Sequence, residues 1–302
     1  MIVKAENIGK SYGNIKAINN ISFEADEGEI FGIIGPDGSG KTTTFRILAS
    51  LIIPDTGKAS IKGYDVVKDF RKVRSIIGYM PGQFSLYGDL TVEENLNFFA
   101  TVFGTTIEKN YHLIRDIYVQ IEPFKNRLAG RLSGGMKQKL ALSCALIHQP
   151  DLLILDEPTT GVDAVSRREF WDLLLELKQK GITILVSTPY MDEASSCDRV
   201  VLIQKGNILI DDTPARVIEN YGTNILALGS SDMYRLLTDM RSYPHVSEVY
   251  AFGASLHYSD QRGQPDLDEI RRYIETKGHE GIKIEPILPG IEDVFMKLMK
   301  RV

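Results

Sequence analysis

Cysteine is scarce in this chain of 302 residues: there are two, Cys144 and Cys197, far apart and outside any C-x-x-C or Cys/His cluster. That excludes a disulfide framework and a structural zinc site as organising devices, and a reducing cytosol is the expected compartment. Long apolar runs are also missing. Each is far shorter than the roughly 20 residues a bilayer-spanning helix needs, and the first residues do not read as a secretory leader, so a membrane role is expected only through a partner. There is no basic excess, since 35 Lys and Arg against 40 Asp and Glu leave a net charge of −5. This argues against the electropositive footprint of a nucleic-acid binder, and no nucleic-acid partner is expected. Internal repeats and low-complexity tracts are absent as well. The length leaves room for two folding units.

The most informative stretch is Gly35-Pro36-Asp37-Gly38-Ser39-Gly40-Lys41-Thr42-Thr43. It follows the apolar run Ile30-Phe31-Gly32-Ile33-Ile34 and leads into Phe45, Leu48, Ala49 and Ile52 at helical spacing. A strand, a glycine loop and a helix in that order, with Lys and Thr at these offsets, form a phosphate-binding loop. Its glycines let successive backbone N–H groups curl around an anion at a helix N-terminus. Lys41 would add a point charge at the β- and γ-phosphates, and the Thr42 hydroxyl is the expected magnesium ligand. A glycine turn that merely starts a helix would not explain Lys41-Thr42.

Along the chain, alternation around Ile2, Ala5 and Ile8 and again around Ile21, Phe23 and Ala25 predicts antiparallel strands, with Ser11-Tyr12-Gly13 between them. By itself Tyr12 reads as a packed or half-exposed aromatic. Further strands are expected at Ala59–Ile61 and Ile76–Met80, the latter running into the loop Pro81-Gly82-Gln83. Thr91-Val92-Glu93-Glu94 is a capping box that starts a helix. Helices are expected at 109–120, 136–147 and 168–180, and buried strands at Leu152–Leu155 and Ile182–Val186. Beyond Asn220-Tyr221-Gly222 the order is strand 224–227, helix 233–240, strands 246–251 and 255–258, helix 267–276, strand 282–284 and helix 291–299. This βαββαβ order with a trailing helix predicts a small ferredoxin-like domain.

Two further stretches carry chemistry. Asp156-Glu157 closes a buried apolar strand. At the same sheet edge as the glycine loop, Asp156 would hold magnesium and Glu157 would act as general base on the attacking water. Leu132-Ser133-Gly134-Gly135-Met136-Lys137-Gln138 places a serine and two glycines just before a helix. It is either an ordinary helix cap or a second anion site.

Over roughly residues 2–212 the sequence resembles the nucleotide-binding subunit of ATP-binding cassette (ABC) transporters. Walker A matches at Gly35–Thr43, the Q-loop at Gln83, the signature at Leu132–Gln138, Walker B at Leu152–Glu157 and the D-loop at Gly161-Val162-Asp163. The resemblance implies an α/β P-loop NTPase core with an antiparallel β-subdomain and a helical insertion at about 84–148. This makes an ATPase domain of residues 1–220, followed by an α+β (ferredoxin-like) accessory domain of residues 221–302. It implies ATP and Mg2+ as ligands, held by Gly35, Asp37, Gly38, Ser39, Gly40, Lys41, Thr42 and Thr43, with Thr42, Gln83 and Asp156 at the metal. Tyr12 falls where the family stacks a ring on adenine. Glu157, Gln83 and Lys41 are the implied catalytic set.

The resemblance further implies that two chains pair head to tail, identical or not. Ser133, Gly134, Gly135 and Asp163 of one would then close over the ATP of the other. It also implies an integral membrane permease subunit that keeps the chain at the inner face of the cell membrane, docked in a groove formed by helices that include Phe84–Tyr87 and the one after Thr91. The C-terminal pattern Pro289–Phe295 is similar to that of exporter subunits. One departure stands out. Where the family has a histidine after the strand Ile184–Thr188, this chain has Pro189, which offers neither a ring nitrogen nor a backbone N–H. Slow hydrolysis is expected, which keeps open a regulatory ATP-binding module as the alternative; a non-transport ABC ATPase is another. Asp37, where the family commonly has Asn, adds negative charge near the phosphates. His148 is expected to be a packing residue.

Overall fold

The computed structural model describes residues 1–299. The chain divides into two compact units, residues 1–214 and 215–302. In the first, the elements in order are β1 (Val3–Tyr12), β2 (Ile15–Ala25), β3 (Ile30–Ile34), α1 (Lys41–Leu48), β4 (Thr56–Ile61), β5 (Tyr64–Asp65), α2 (Phe70–Ile76), β6 (Ile77–Met80), α3 (Val92–Val102), α4 (Ile107–Tyr118), α5 (Gly134–Leu146), β7 (Leu152–Asp156), α6 (Ala164–Gln179), β8 (Thr183–Thr188), β9 (Arg199–Gln204) and β10 (Asn207–Asp212). Helix α7 (Pro214–Glu219) begins at the junction. The second unit continues with β11 (Ile225–Gly229), α8 (Met233–Arg241), β12 (Val246–Phe252), β13 (Ser255–Asp260), α9 (Leu267–Thr276), β14 (Lys283–Ile287) and α10 (Ile291–Met299).

The first unit is built on a six-stranded sheet of order β10-β9-β3-β8-β7-β6. Its strands are parallel except for the β9–β10 hairpin. Strands β3, β7 and β8 are buried along their whole length, which is why they read as unbroken apolar runs. A second sheet, β2-β1-β4-β5, is antiparallel. Helix α1 lies between the two, burying Phe45, Ile47 and Leu48 in a core shared by Val3, Ile8 and Phe23 on one side and Phe31, Ile154 and Leu185 on the other. On the opposite face, α5 approaches β6 so closely that a Cβ at Gly78 would meet the Ala145 carbonyl oxygen at 2.3 Å.

Several local expectations change. Strands β9 and β10 and helix α2 were not anticipated, although Val200-Val201-Leu202-Ile203 is an apolar run as plain as β7. The expected strand Ile76–Met80 is α2 for its first residue and β6 for the rest. The segment Phe84–Tyr87, expected to be helical, is irregular. Its backbone is captured by the fully buried Asn95, whose Oδ1 accepts the Tyr87 N–H and whose Nδ2 donates to the Tyr87 carbonyl. Three helices start earlier than periodicity alone indicates, because a cap sets each start: Thr106 for α4, Ser133 for α5 and Asp163 for α6. The capping box at Thr91 is formed on both sides, a contribution of about 1 kcal/mol.

The second unit is a four-stranded antiparallel sheet of order β12-β13-β11-β14, the ferredoxin-like order that βαββαβ connectivity produces. Helices α8 and α9 cover one face through Leu236, Met240, Ile270 and Ile274 against Leu226, Leu228, Leu256 and Tyr258. Helix α10 buries Ile291, Val294 and Phe295.

Candidate functional site

Four neighbouring strands of the central sheet end at one edge. Register places Ile34 beside Thr188, Asp156 beside Ser187 and Met80 beside Leu155. The segments that leave those strands are therefore the glycine loop, Pro189, Glu157 and the loop of Gln83, side by side at the carboxyl edge where open α/β sheets bind ligands. A cleft of about 650 Å³ there is lined by Thr42, Gln83, Asp156 and Glu157, together with Arg46 and Thr160.

The glycine loop is as tight as a phosphate cradle needs. A Cβ at Gly35 would meet the Ile203 carbonyl oxygen at 2.2 Å, and one at Gly40, whose φ is +111°, would meet the Ala17 carbonyl oxygen at 2.5 Å. Lys41 is almost fully buried. Its ammonium donates to the Gly35 and Pro36 carbonyls at 2.7 and 3.0 Å and pairs with Glu157 Oε1 at 3.0 Å. Among the described residues the buried Ser39 Oγ has no partner. Asp37 and Gly38 are exposed at the loop tip, while Thr43 is half-buried in the first turn of α1. An orphaned hydroxyl inside a ring of tight glycines, beside a buried ammonium, fits an anionic ligand.

Asp156 accepts from the Ser187 hydroxyl at 2.7 Å and from the Thr42 hydroxyl at 3.2 Å on the same Oδ1. Burial pushes its carboxyl above the usual range, and those two hydroxyls pull it back. A hydroxyl and a carboxylate converging on one point are the oxygen donors magnesium prefers. Glu157 has a φ of +49°, a strained backbone held by two bonds from its N–H to the Ser187 Oγ and carbonyl at 3.0 and 3.1 Å. Gly82 lies against the same pair, its Cβ position 3.1 Å from the Asp156 carbonyl oxygen.

The remaining candidates stand elsewhere. Tyr12 is exposed at the β1–β2 hairpin tip. Ser133 accepts the Met136 N–H at 3.4 Å, and Gly135 is packed so that a Cβ would meet Ser166 Oγ at 2.9 Å. Asp163 accepts the Val165 and Ser166 N–H groups at 3.1 and 3.0 Å. Among the described residues, Ser133, Gly134, Gly135 and Asp163 make none of these bonds to the glycine loop of their own chain; they form a separate corner where α5 and α6 begin. His148 is a packing residue. Phe103 stacks on its ring at 3.7 Å, its Nε2 bonds the Ile77 carbonyl, and burial lowers its pKa.

Three participants were not singled out in the sequence. Ser187 binds both Asp156 and Glu157. Thr159 donates to the buried Glu193 at 2.8 Å. Arg167 lies 4.9 Å over the Tyr190 ring and bonds Asp192 at 3.0 Å, tying the segment after Pro189 to α6. Only strand register could have pointed to Ser187, and nothing local marks Arg167.

A P-loop cassette with a parallel core, an antiparallel β-subdomain and a helical insertion is the class this architecture defines. The family model described as ABC transporter matches residues 18–160. Among curated relatives, the chain is 34% identical over 298 residues to the Nod factor export ATP-binding protein I of Rhizobium sp. (strain N33), covering 97% of this chain and 95% of that protein. It is 40% identical over 276 residues to the probable multidrug ABC transporter ATP-binding protein YbhF of Escherichia coli (strain K12); this covers 90% of the chain but 47% of YbhF, so the chain spans about half that relative. A solved ATP binding subunit of an ABC transporter superposes with a TM-score of 0.67 at 28% identity, covering 74% of this chain and 94% of that one. The dimeric post-hydrolysis cassette MJ0796 bound to ADP and Pi superposes with a TM-score of 0.64 at 28% identity, covering 70% and 98%. The chain belongs to the ATP-binding proteins of the ABC transporter family, whose cassettes are ATPase domains that bind ATP with magnesium. Among the described residues no helix is long and apolar enough to cross a membrane.

Proposed function

We propose that this chain is the ATP-hydrolysing subunit of a membrane-embedded exporter and that it works as a head-to-tail pair of cassettes. The observation that carries this reading is the convergence of Thr42, Gln83, Asp156 and Glu157 on one cleft beside the buried Lys41. Glycine-loop amides and Lys41 would hold the phosphates of ATP. Thr42, Asp156 and Gln83 would hold magnesium, which supplies neutralisation of charge on the β- and γ-phosphates. Glu157 takes a proton from water as the water oxygen attacks the γ-phosphorus; the bond to the ADP oxygen breaks and phosphate leaves. In the resting chain Glu157 is paired with Lys41, so bound phosphate would compete for the ammonium and free the carboxylate for that task.

The separation of Ser133, Gly134, Gly135 and Asp163 from the glycine loop of their own chain supports a site completed by a second cassette. The solved dimer of MJ0796 supports the same arrangement. A smaller apolar cleft of about 270 Å³, lined by Tyr79, Met80, Leu86, Phe99, Phe103 and Ala141, supports docking of a permease subunit at the inner face of the membrane. The names of the relatives, multidrug transporter and Nod factor export, favour export as the direction.

Pro189 favours a second reading, a cassette that binds ATP and pairs but turns over slowly. It follows the last residue of β8, next to the glycine loop, where Gly35 N–H donates to the Thr188 carbonyl at 3.2 Å. Loss of one transition-state donor lowers turnover by about 10- to 1000-fold. Steady-state ATPase rates of wild type and Pro189→His decide the matter: a rise of about tenfold or more supports the slow-catalyst reading, and an unchanged rate removes it. Reconstitution with a co-purifying integral membrane protein tests the exporter assignment; recovery of ribosomes in its place overturns that assignment.

A further inference from the structure

Glu157 is followed by Pro158, and the ring of a proline favours an extended residue before it. Glu157 instead has a φ of +49°, so the turn that carries its carboxylate to the cleft has to be held from outside. One stretch of chain, residues 187–193, grips that turn at both ends. At the near end Ser187 takes the Glu157 N–H on its hydroxyl and carbonyl oxygens at 3.0 and 3.1 Å. At the far end the Thr159 hydroxyl, on a residue 1% exposed, donates to Glu193 Oε1 at 2.8 Å. Between the two ends the turn closes on itself, with Thr160 N–H on the Glu157 carbonyl and Val162 N–H on the Thr159 carbonyl, each at 3.2 Å. Glu193 stands on a short 3-10 turn, Met191–Ser196, whose own position is set from two sides. Arg167 of α6 bonds Asp192 at 3.0 Å, covers the Tyr190 ring and brings its Nε within 3.8 Å of Glu193 Oε1. Cys197, the residue that ends the turn, sits so close to β3 that a Cβ at Gly32 would meet its sulfur at 2.7 Å. The Glu193 carboxylate is buried, and among the described residues its Oε2 has no partner. A buried charge with one oxygen unmet costs stability, so packing gives no reason for it, whereas the grip on Thr159 does.

We propose that Glu193 is a positioning residue for hydrolysis: through the Thr159 hydroxyl it fixes the turn after Glu157 and so holds the Glu157 carboxylate where it meets the attacking water. The inference rests on the reading of Glu157 as the general base. Thr42, Asp156, Glu157 and Thr160 line the cleft, and neither Thr159 nor Glu193 does. Their effect on the chemistry therefore passes through Glu157, as a loss of aim and not of ligand contact.

The test measures ATP turnover by phosphate release beside nucleotide affinity by filter binding, both on the full chain. Thr159→Val keeps the shape and removes the donor; it is expected to lower kcat about 10- to 100-fold with ATP affinity within about twofold of wild type. Thr159→Ser, which keeps the hydroxyl, should bring kcat back to within about threefold of wild type. Glu193→Asp, which draws the accepting oxygen back by one methylene, should show the same split as Thr159→Val. Added to Glu157→Gln, Thr159→Val should cost nothing more. Wild-type kcat in both Thr159→Val and Glu193→Asp, equal losses of kcat and affinity, or a Thr159→Val loss that adds in full to that of Glu157→Gln overturns the inference while leaving Glu157 as the base. Turnover in Glu157→Gln within a few-fold of wild type removes the base and this inference with it.

Discussion

In residues 1–214 the buried polar side chains Ser39, Lys41, Asp156, Ser187 and Thr188 gather at the carboxyl ends of the parallel strands. In the second unit a buried histidine of the antiparallel sheet, His257, meets a buried carboxylate of helix α10, Asp293. Asp293, 1% exposed, accepts from Gly290 N–H at 2.6 Å, bonds His257 Nδ1 at 2.6 Å and accepts from the Tyr250 hydroxyl. The first arrangement leaves capacity over: among the described residues Ser39 has no partner, Lys41 bonds two carbonyls besides Glu157, and Glu157 is strained. In the second, the carboxylate of Asp293 is already met by three donors of its own unit. Unused bonding capacity at a strand edge reads as a ligand site, whereas a carboxylate so occupied reads as a clasp that fastens a helix.

The largest effect that sharpens this contrast is catalytic. Glu157→Gln is expected to lower ATP turnover about 10²- to 10⁴-fold, with nucleotide affinity retained, because the amide keeps the shape of the side chain but accepts no proton. Filter binding alongside a phosphate-release assay separates the two quantities. Turnover within a few-fold of wild type would take Glu157 out of the reaction. The counterpart in the second unit is Asp293→Ala, which leaves His257 and Tyr250 without their buried acceptor. It should destabilise that unit by about 2 to 4 kcal/mol, read as faster hydrogen exchange in β12, β13 and α10, with ATP affinity unmoved. An Asp293 variant that changes ATP affinity would break the division of labour between the units.

Asp156→Asn gives a smaller, two-sided result. Burial raises the Asp156 carboxyl, so in the folded chain the protonated form is favoured relative to the unfolded one. That stabilisation is complete below the unfolded value of 3.8 and is lost as pH rises through the higher folded value. At neutral pH the carboxylate is then a net burden on the ligand-free cassette. The amide should raise thermal stability of the free chain by about 1 kcal/mol and weaken magnesium-dependent nucleotide binding. A variant that is less stable and binds equally well would mean that Asp156 is structural.

How much of this could be read in advance follows from where the information lies. The glycine loop, Asp156-Glu157 and the capping box at Thr91 are contiguous, so backbone geometry and side-chain chemistry appear together within a few residues. Gln83 and Tyr12 are lone residues in loops and gain meaning only by resemblance. Ser187 was invisible because its role comes from standing opposite Asp156 in register, a relation between segments 31 residues apart. Arg167 and Glu193 act through tertiary packing in the same way. Strand β9 was missed despite an apolar run, since no motif marks it, yet it lies directly beside β3 and its Ile203 carbonyl forms one wall at Gly35. The boundary of Phe84–Tyr87 failed because a buried asparagine eight positions on takes up the backbone groups that a helix would have used.

The smallest expected effect belongs to the second unit and concerns acid. Burial alone would raise Asp260, but the Arg262 guanidinium and amide and the Tyr258 hydroxyl outweigh it and hold the carboxyl at about 2. The guanidinium grips both oxygens, at 2.9 and 2.8 Å. A carboxyl depressed in the folded state adds stability that is complete above its unfolded value of 3.8 and disappears as pH falls through about 2. With Arg262 half-exposed to solvent, that contribution is about 1 kcal/mol. Between pH 7 and the unfolded value, then, Asp260→Asn should be the less stable form by that amount, and the gap should close as pH falls toward 2. Denaturation midpoints of the two proteins along a pH series give the curve directly. A gap that stays constant down to the lowest pH would assign the effect to lost packing of the Tyr258 hydroxyl, and the carboxylate of Asp260 would then be no more than a spacer between β13 and Arg262.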